Sequence, residues 1–426
     1  MAAKFVFQGS RLRLSTDFDG GGLAKVVEAG PDVLDCWPYL EDEYRDGFIS
    51  LRSLDGAGDQ RDGANYSFLF RLDGCLNRKI TLRIHVVHEK CKSDDVSVVY
   101  ANPDFPVISH DGDNWERTPH KRLLGGDGLT DEKIIEVEYT CSQDTVWVSY
   151  QYPYTNDRLH RFVQRLADSP FCQVGVAGRS TEGRDIPLIS LTDPAVPLRA
   201  KPVAWFTGLQ HCAELAAGWG FEGMAEFLVS AAPLAVEARR RYEFKFIPIV
   251  NVDAVAEGRG RIHRSGRNLN REWERPDPVC DVGTIRQTLE AWRAQGHPVS
   301  TFVDLHGFST VDGRWFAPVL PPENFSADQV RRYEQLLAAI RRQLPGMQYD
   351  PFPSVGFAAG ASVRTYGALG LSIDGWIYKG PAPAAPDLSS YYTSGRQVLP
   401  LAEIKAAGAR IVQAWVDFAG SQEREL

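Results

Sequence analysis

Val203-Ala-Trp-Phe-Thr-Gly-Leu-Gln-His-Cys-Ala-Glu214 is an apolar run that breaks at Gly208 and ends in a histidine and a glutamate three positions apart. The first half reads as a β-strand and residues 215 to 230, which follow, read as a helix. His211 and Glu214 fall on the same side of a helical turn. An imidazole nitrogen and a carboxylate oxygen are both zinc donors. A catalytic zinc usually takes three protein ligands and keeps a fourth position for water. A lone His-x-x-Glu arises often by chance in helices. Its weight rests on whether the chain supplies a third ligand, a clamp for substrate and a general base.

Working outward, strands alternate with helices from about residue 157 onward. Leu159, Phe162, Val163 and Leu166 share one helical face. Strands are expected at Phe244–Val250, Thr301–His306 and Leu369–Tyr378, and helices around Thr284–Ala294, Ala327–Leu344 and Leu401–Phe418, with Ser326 as an N-cap. This order predicts an α/β domain with a mixed, largely parallel sheet, in which sites collect at the carboxyl ends of strands. His306 ends one such strand beside Gly307 and completes a His, Glu, His set. Asp304, two residues earlier on the same strand face, is expected to support it. Cys212, inside the motif, is either a third ligand, a nucleophile or a small packed residue, the last being the usual fate of a free thiol.

Upstream, residues 1–153 read as an all-β unit. Short alternating runs, Tyr66–Leu72, Lys79–Val87, Val96–Tyr100 and Thr145–Tyr150, are separated by turn-rich stretches such as Asp19–Gly22 and Asp111–Asn114. Spaced strands without clear helices predict a β-sandwich. His85 and His88 fall on opposite strand faces, which argues against a shared metal. Trp115 reads as a packing anchor. The Tyr152–Asp157 segment marks the boundary, so the expected domains are 1–153, a β-sandwich, and 154–426, an α/β catalytic domain.

The 426 residues carry a net charge of −8, which leaves no nucleic-acid footprint. Seven cysteines with no Cys-x-x-Cys fit a reducing compartment and free thiols. No stretch approaches the ~18 apolar residues of a membrane span, and the amino terminus has no signal-peptide pattern. A soluble, cytoplasmic protein is expected, with neither nucleic acid nor membrane as a partner.

Between the ligand candidates lies Asn251-Val-Asp-Ala-Val-Ala-Glu-Gly-Arg-Gly-Arg-Ile-His-Arg-Ser-Gly-Arg-Asn-Leu-Asn-Arg-Glu-Trp273. Here the chain resembles the zinc carboxypeptidases of the funnelin fold, in particular the bacterial branch of the cytosolic carboxypeptidases. Gly266-Arg-Asn-Leu-Asn-Arg-Glu-Trp is the most specific match. Phe18-Asp-Gly-Gly-Gly is similar to the family's opening strand, Tyr152-Pro-Tyr-Thr to its inter-domain signature, and Gly178-Arg-Ser-Thr-Glu-Gly-Arg-Asp to the entry of its catalytic domain. Gln210-His-Cys-Ala-Glu stands at the first ligand motif and Asp304-Leu-His-Gly at the last.

The resemblance implies zinc (Zn2+) on His211, Glu214 and His306. It implies that Asn270 and Arg271 grip the terminal carboxylate of a peptide or amide substrate, work suited to a guanidinium fork. Arg261 would stabilise the oxyanion that develops at the scissile carbonyl, and Asn268 would support a ligand histidine. The implied activity is metallocarboxypeptidase hydrolysis of a C-terminal peptide or isopeptide-like amide bond. A zinc amidase acting on a small acylated metabolite and a catalytically weak binding protein on the same scaffold are the alternatives.

The chain also departs from the family. Val252 and Ala254 replace the Pro and Gly of the Asn-Pro-Asp-Gly turn. Asp374, in Leu-Ser-Ile-Asp-Gly, stands where the family has its general-base glutamate, with Asp387 a second candidate. A carboxylate on a side chain one methylene shorter predicts a slower site, a shifted backbone or a different substrate, because misplacement by ~1 Å can cost ~100-fold. Arg364 is the basic residue nearest the position that selects acidic substrates in relatives, but is offset from it. Tyr349, Tyr366 and Tyr378 are candidates to close over the substrate.

Overall fold

The computed structural model describes residues 4–39, 41–42, 63–64, 67–87, 106–118, 120–125, 133–197, 201–307, 314–318, 326–345, 348–352, 357–374, 378–379 and 397–424. Within them the chain divides into two compact units. The first holds the described residues of Met1–Asn156, the segment Asp253–Asn268 and the described part of 380–398. The second holds those of Asp157–Val252, Leu269–Lys379 and Leu399–Leu426.

The first unit is β-rich. One sheet runs in the order Val6–Gln8, Arg13–Ser15, Leu69–Asp73, Thr145–Ser149, Val107–Ser109, Glu116–Arg117, with every neighbouring pair antiparallel. A second runs His120–Gly125, Lys133–Thr140, Lys79–Val87, Val33–Trp37, Lys25–Gly30, and only Val33–Trp37 with Lys79–Val87 is parallel. Alternate residues fill the interior, among them Leu14, Phe70, Leu72, Val146 and Val148 from one sheet and Leu34, Leu82, Ile84, Ile135 and Val137 from the other. His85 is such a packed residue: it stacks on Trp37 at 4.2 Å and its Nε2 lies 3.3 Å from Asp35. Trp115 donates its indole N–H to the Gly112 carbonyl at 3.1 Å, closing a turn. Phe18–Gly22 is a turn leading to an isolated bridge from Gly22 to Leu69 rather than a strand. The Lys4 ammonium ties this turn to the arginine-rich segment, donating to Phe18 O at 2.9 Å and Ala256 O at 2.8 Å. His88 and the run Val96–Tyr100 lie outside the described residues.

The second unit is built on an eight-stranded mixed sheet. Its order is Cys172–Arg179, Asp185–Leu191, Glu243–Ile247, Val203–Gly208, Thr301–Leu305, Leu369–Ile373, Arg314–Pro318, Gln348–Phe352. The four central strands, from Glu243–Ile247 to Leu369–Ile373, are mutually parallel and buried at every position. Three of them are largely apolar, because a strand covered on both faces has no solvated side to alternate with; Glu243–Ile247 instead buries two charges, Lys245 Nζ lying 2.7 Å from Glu243 Oε1.

Helices follow the strands. Ala216–Val229, Cys280–Ala294 and Ala327–Gln343 lie within a few residues of the expected bounds, Leu401–Arg424 runs past its expected end at Phe418, and Ala358–Tyr366 is a helix not expected from the sequence. Ser326 caps its helix in a reciprocal box with Gln329. Ala216–Val229 crosses Leu401–Arg424 at glycines: a Cβ on Gly223 would overlap the Lys405 carbonyl, and one on Gly408 the Gly220 carbonyl. Beside that crossing the buried Glu222 carboxylate receives the Arg158 guanidinium at 2.8 and 2.7 Å. None of the helices among the described residues is long and apolar enough to cross a membrane.

Candidate metal centre and substrate clamp

Three adjacent parallel strands, Val203–Gly208, Thr301–Leu305 and Leu369–Ile373, end at the same edge of the sheet. Gly208 pairs with Leu305, and Leu305 with Ile373. His306 therefore follows directly at the end of the middle strand, its N–H donating to Ile373 O at 2.8 Å. Asp374 follows Ile373 on the neighbouring strand and is half-buried. On the other side the chain leaves Gly208 through Leu209, whose φ of 42° is unusual for a residue with a branched side chain. Backbone bonds from Val250 to Gly208 O at 3.0 Å and from Asn251 to Leu209 O at 3.2 Å hold this exit. His211 and Glu214 then sit on one tight turn, Glu214 N donating to His211 O at 3.2 Å, before the helix begins at Ala216. Gly307 permits the close approach, since a Cβ there would come within 2.7 Å of Glu214 O.

The outcome is a convergent donor set. Glu214 lies between the two imidazoles, Oε1 at 2.7 Å from His211 Nδ1 and Oε2 at 2.7 Å from His306 Nδ1. One potential ligand atom from each of the three residues falls within 4.8 Å of the others. All three side chains are buried. Burial pushes the Glu214 carboxyl toward its neutral form, but the two imidazoles more than reverse this and hold it well below the usual carboxylate range. Burial likewise opposes charge on His306, and the Glu214 and Asp304 carboxylates override it and raise its pKa well above the ordinary value.

Asp304 supplies the outer contact, its Oδ2 at 2.8 Å from His306 Nε2. A ligand histidine backed by a carboxylate on its far nitrogen is a recurrent arrangement at zinc. Two imidazoles and one carboxylate, buried and converging, fit a zinc ion. Cys212 is outside this set. It is buried, and its Sγ lies 3.4 Å from the Asn251 amide nitrogen.

Asn270 and Arg271 lie in a single 3-10 turn, Leu269–Arg271. Asn270 is buried, and its side chain is engaged within the protein. Its Oδ1 accepts from Ala358 N at 3.0 Å, and its amide nitrogen lies 3.1 Å from His306 Nε2. Arg271 donates to Asn270 O at 3.0 Å, and its guanidinium lies over the Phe357 ring at 3.8 Å. Arg261 and Asn268 belong to the segment grouped with the first unit.

Arg364 is drawn into a two-pronged pair with Glu274, one contact at 2.6 Å. Tyr366 faces Arg293, 5.4 Å from its ring, and burial, aided by Glu290, pushes its hydroxyl up to about 12. Asp387 and the side chains of Tyr349 and Tyr378 lie outside the described residues.

The sequence reading missed Gln210. Its amide nitrogen lies 2.6 Å from Asp304 Oδ2, and its oxygen accepts from the Trp273 indole at 2.7 Å. A polar residue directly before a ligand histidine, within an otherwise apolar strand exit, was the signal available.

Residues 159–380 match the sequence profile of the family described as zinc carboxypeptidase, more than half of the 426-residue chain. The chain belongs to the zinc carboxypeptidase family. Among curated relatives, cytosolic carboxypeptidase 1 of Danio rerio is 30% identical over 323 residues, 71% of this chain and 27% of the relative. The Mus musculus protein of the same name is 31% identical over 71% of this chain and 26% of its own length. The chain thus spans about a quarter of the length of these relatives. Its fold is shared with a metallo-carboxypeptidase from Burkholderia cenocepacia (TM-score 0.71, 22% identity, 96% of this chain and 99% of that one). A metallo-carboxypeptidase from Pseudomonas aeruginosa gives a TM-score of 0.68 at 19% identity, over 96% and 99% of the two chains.

Proposed function

We propose that this family member is a zinc-dependent carboxypeptidase that hydrolyses the C-terminal peptide, or isopeptide-like, amide bond of a substrate carrying a free carboxylate. The observation that carries the reading is the buried convergence of His211, Glu214 and His306 at strand ends next to the one that Asp374 follows. In this reading His211, Glu214 and His306 hold zinc. Bound there, zinc would supply Lewis acidity, polarising a carbonyl and acidifying water. Asp304 keeps the His306 imidazole in one tautomer.

Asp374 accepts the proton of the attacking water and returns it to the leaving amine. Arg271, helped by Asn270, binds the terminal carboxylate through its planar fork. Arg261 meets the negative charge that develops on the scissile oxygen. Residues 1–153 form the N-terminal β-sandwich domain and residues 154–426 the catalytic domain, and the protein works in the cytoplasm. Arg364 is committed to Glu274, so selection of an acidic terminal residue needs a cation from elsewhere.

The test is mass spectrometry of a peptide panel with varied C-terminal residues, with and without a zinc chelator. Chelator-sensitive loss of a single terminal residue is the expected result. Protein that contains zinc yet trims no peptide would overturn the peptidase reading and direct the search to small acylated amides.

A further inference from the structure

Gln210 is completely buried and uses both ends of its amide. The Trp273 indole can only donate, and its Nε1 lies 2.7 Å from Gln210 Oε1. That single contact decides the orientation of the amide, turning its NH2 toward Asp304 Oδ2 at 2.6 Å and Asn270 Oδ1 at 3.4 Å. The other Asp304 oxygen accepts from the Thr207 hydroxyl at 2.8 Å. Asp304 is therefore a fully buried carboxylate gripped by Thr207 and Gln210, with His306 Nε2 as its third neighbour. Gln210 itself is pinned from behind by Trp273. The network joins the exit of strand Val203–Gly208, the Leu269–Trp273 stretch and strand Thr301–Leu305, segments that are far apart in sequence.

We propose that Gln210 is a positioning residue for the metal centre. It holds the Asp304 carboxylate against Nε2 of His306 at 2.8 Å, nearer than the Asn270 amide nitrogen at 3.1 Å, so that the Nε2 proton points to Asp304 and the Nδ1 lone pair is left for the metal. The inference rests on the zinc reading of His211, Glu214 and His306. Gln210 acts through Asp304, not by touching zinc or substrate. Without its NH2 the Asp304 carboxylate gains freedom to rotate, and the imidazole loses its fixed tautomer.

The experiment is competition for zinc between a chromophoric chelator and four full-length proteins: wild type, Gln210→Met, Trp273→Phe and His306→Ala. The melting temperature of each metal-free form and the visible spectrum of each cobalt-substituted form are recorded alongside. Gln210→Met keeps side-chain volume and removes the amide. It is expected to weaken zinc binding by about 10- to 100-fold and to shift the cobalt absorption. Trp273→Phe, which keeps the ring and frees the amide to flip, is expected to weaken zinc by roughly fivefold, the size of one lost hydrogen bond.

A merely structural role predicts lower melting temperatures with zinc affinity within twofold of wild type and an unaltered cobalt spectrum; that result overturns the proposal. Should Gln210→Met fail to fold, Trp273→Phe decides by the same criterion. If wild type binds no zinc, or His306→Ala binds it as tightly as wild type, the ligand reading itself has failed and this inference falls with it.

Discussion

If Arg271 clamps the terminal carboxylate and Asp374 is the base, as proposed, their substitution should separate substrate binding from turnover. The Arg271 guanidinium lies over Phe357 and is tied to the Asn270 carbonyl, so its plane is preset. Arg271→Lys keeps the charge and loses the fork. It should raise KM for peptides with a free terminal carboxylate by about tenfold, close to 1.4 kcal/mol, with a smaller change in kcat. The same peptides capped as carboxamides should show no such difference between the two proteins in steady-state assays. Asp374→Asn should lower kcat by about 10²- to 10⁴-fold while metal analysis finds zinc content unchanged. A variant that loses zinc and activity together would make Asp374 a structural support instead of the base.

Helices and strands carry predictions of their own. The crossing of Ala216–Val229 with Leu401–Arg424 depends on the absence of side chains at Gly223 and Gly408. Gly223→Ala should destabilise by about 1–3 kcal/mol, the range for overpacking, even though alanine is the better helix former. Denaturant unfolding gives the sign: a more stable variant would mean the helices can part freely.

In the first unit, strand Lys133–Thr140 carries Glu136, which faces Arg83 at 3.1 Å and Arg122 at 2.6 Å. Burial raises the Glu136 pKa, but these two guanidinium bonds outweigh it and the net shift is downward. A folded-state pKa below the unfolded value means the stabilisation is complete above about pH 4.3 and is lost as pH falls through the folded value. Glu136→Gln should therefore cost about 1–3 kcal/mol at pH 7 and flatten the acid limb of a stability-versus-pH curve. An acid limb of unchanged slope would show that Glu136 contributes no linkage.

For the molecule as a whole, the zinc reading makes a prediction about stability and its location. An ion that binds only the folded chain adds about 4 kcal/mol at a thousandfold excess over its Kd. Chelation should lower the melting temperature accordingly. Hydrogen exchange should then quicken chiefly in 203–214, 301–306 and 369–374, the three strand ends that meet at the centre. Exchange that quickens only elsewhere would place the ion elsewhere. The two compact units also show the limit of a linear reading. A single boundary near residue 153 follows from the change of periodicity, yet Asp253–Asn268 groups with the β-rich unit. Periodicity reports only on near neighbours in the chain, and the ties of Lys4 to Phe18 and Ala256 span up to 252 positions.

Much of this was open to reading because the physics involved is local. A strand buried on both faces is largely an apolar run, Ser326 ahead of a helical pattern caps it, and His211, Glu214 and His306 are donor types that zinc accepts. The sequence by itself determined most of the elements of the α/β unit, their order and which donor residues stand at the strand ends. Tertiary structure decided which ends meet. The pairing of Gly208 with Leu305 and Leu305 with Ile373 brings residues far apart in the chain to one edge. It also decided that Gln210 buttresses Asp304 and that Arg364 is spent on Glu274. Those outcomes depend on parallel register and on side-chain partners from distant segments. No local pattern of hydrophobicity or spacing carries that information, since a parallel crossover leaves the partner strand's identity free until the sheet is assembled.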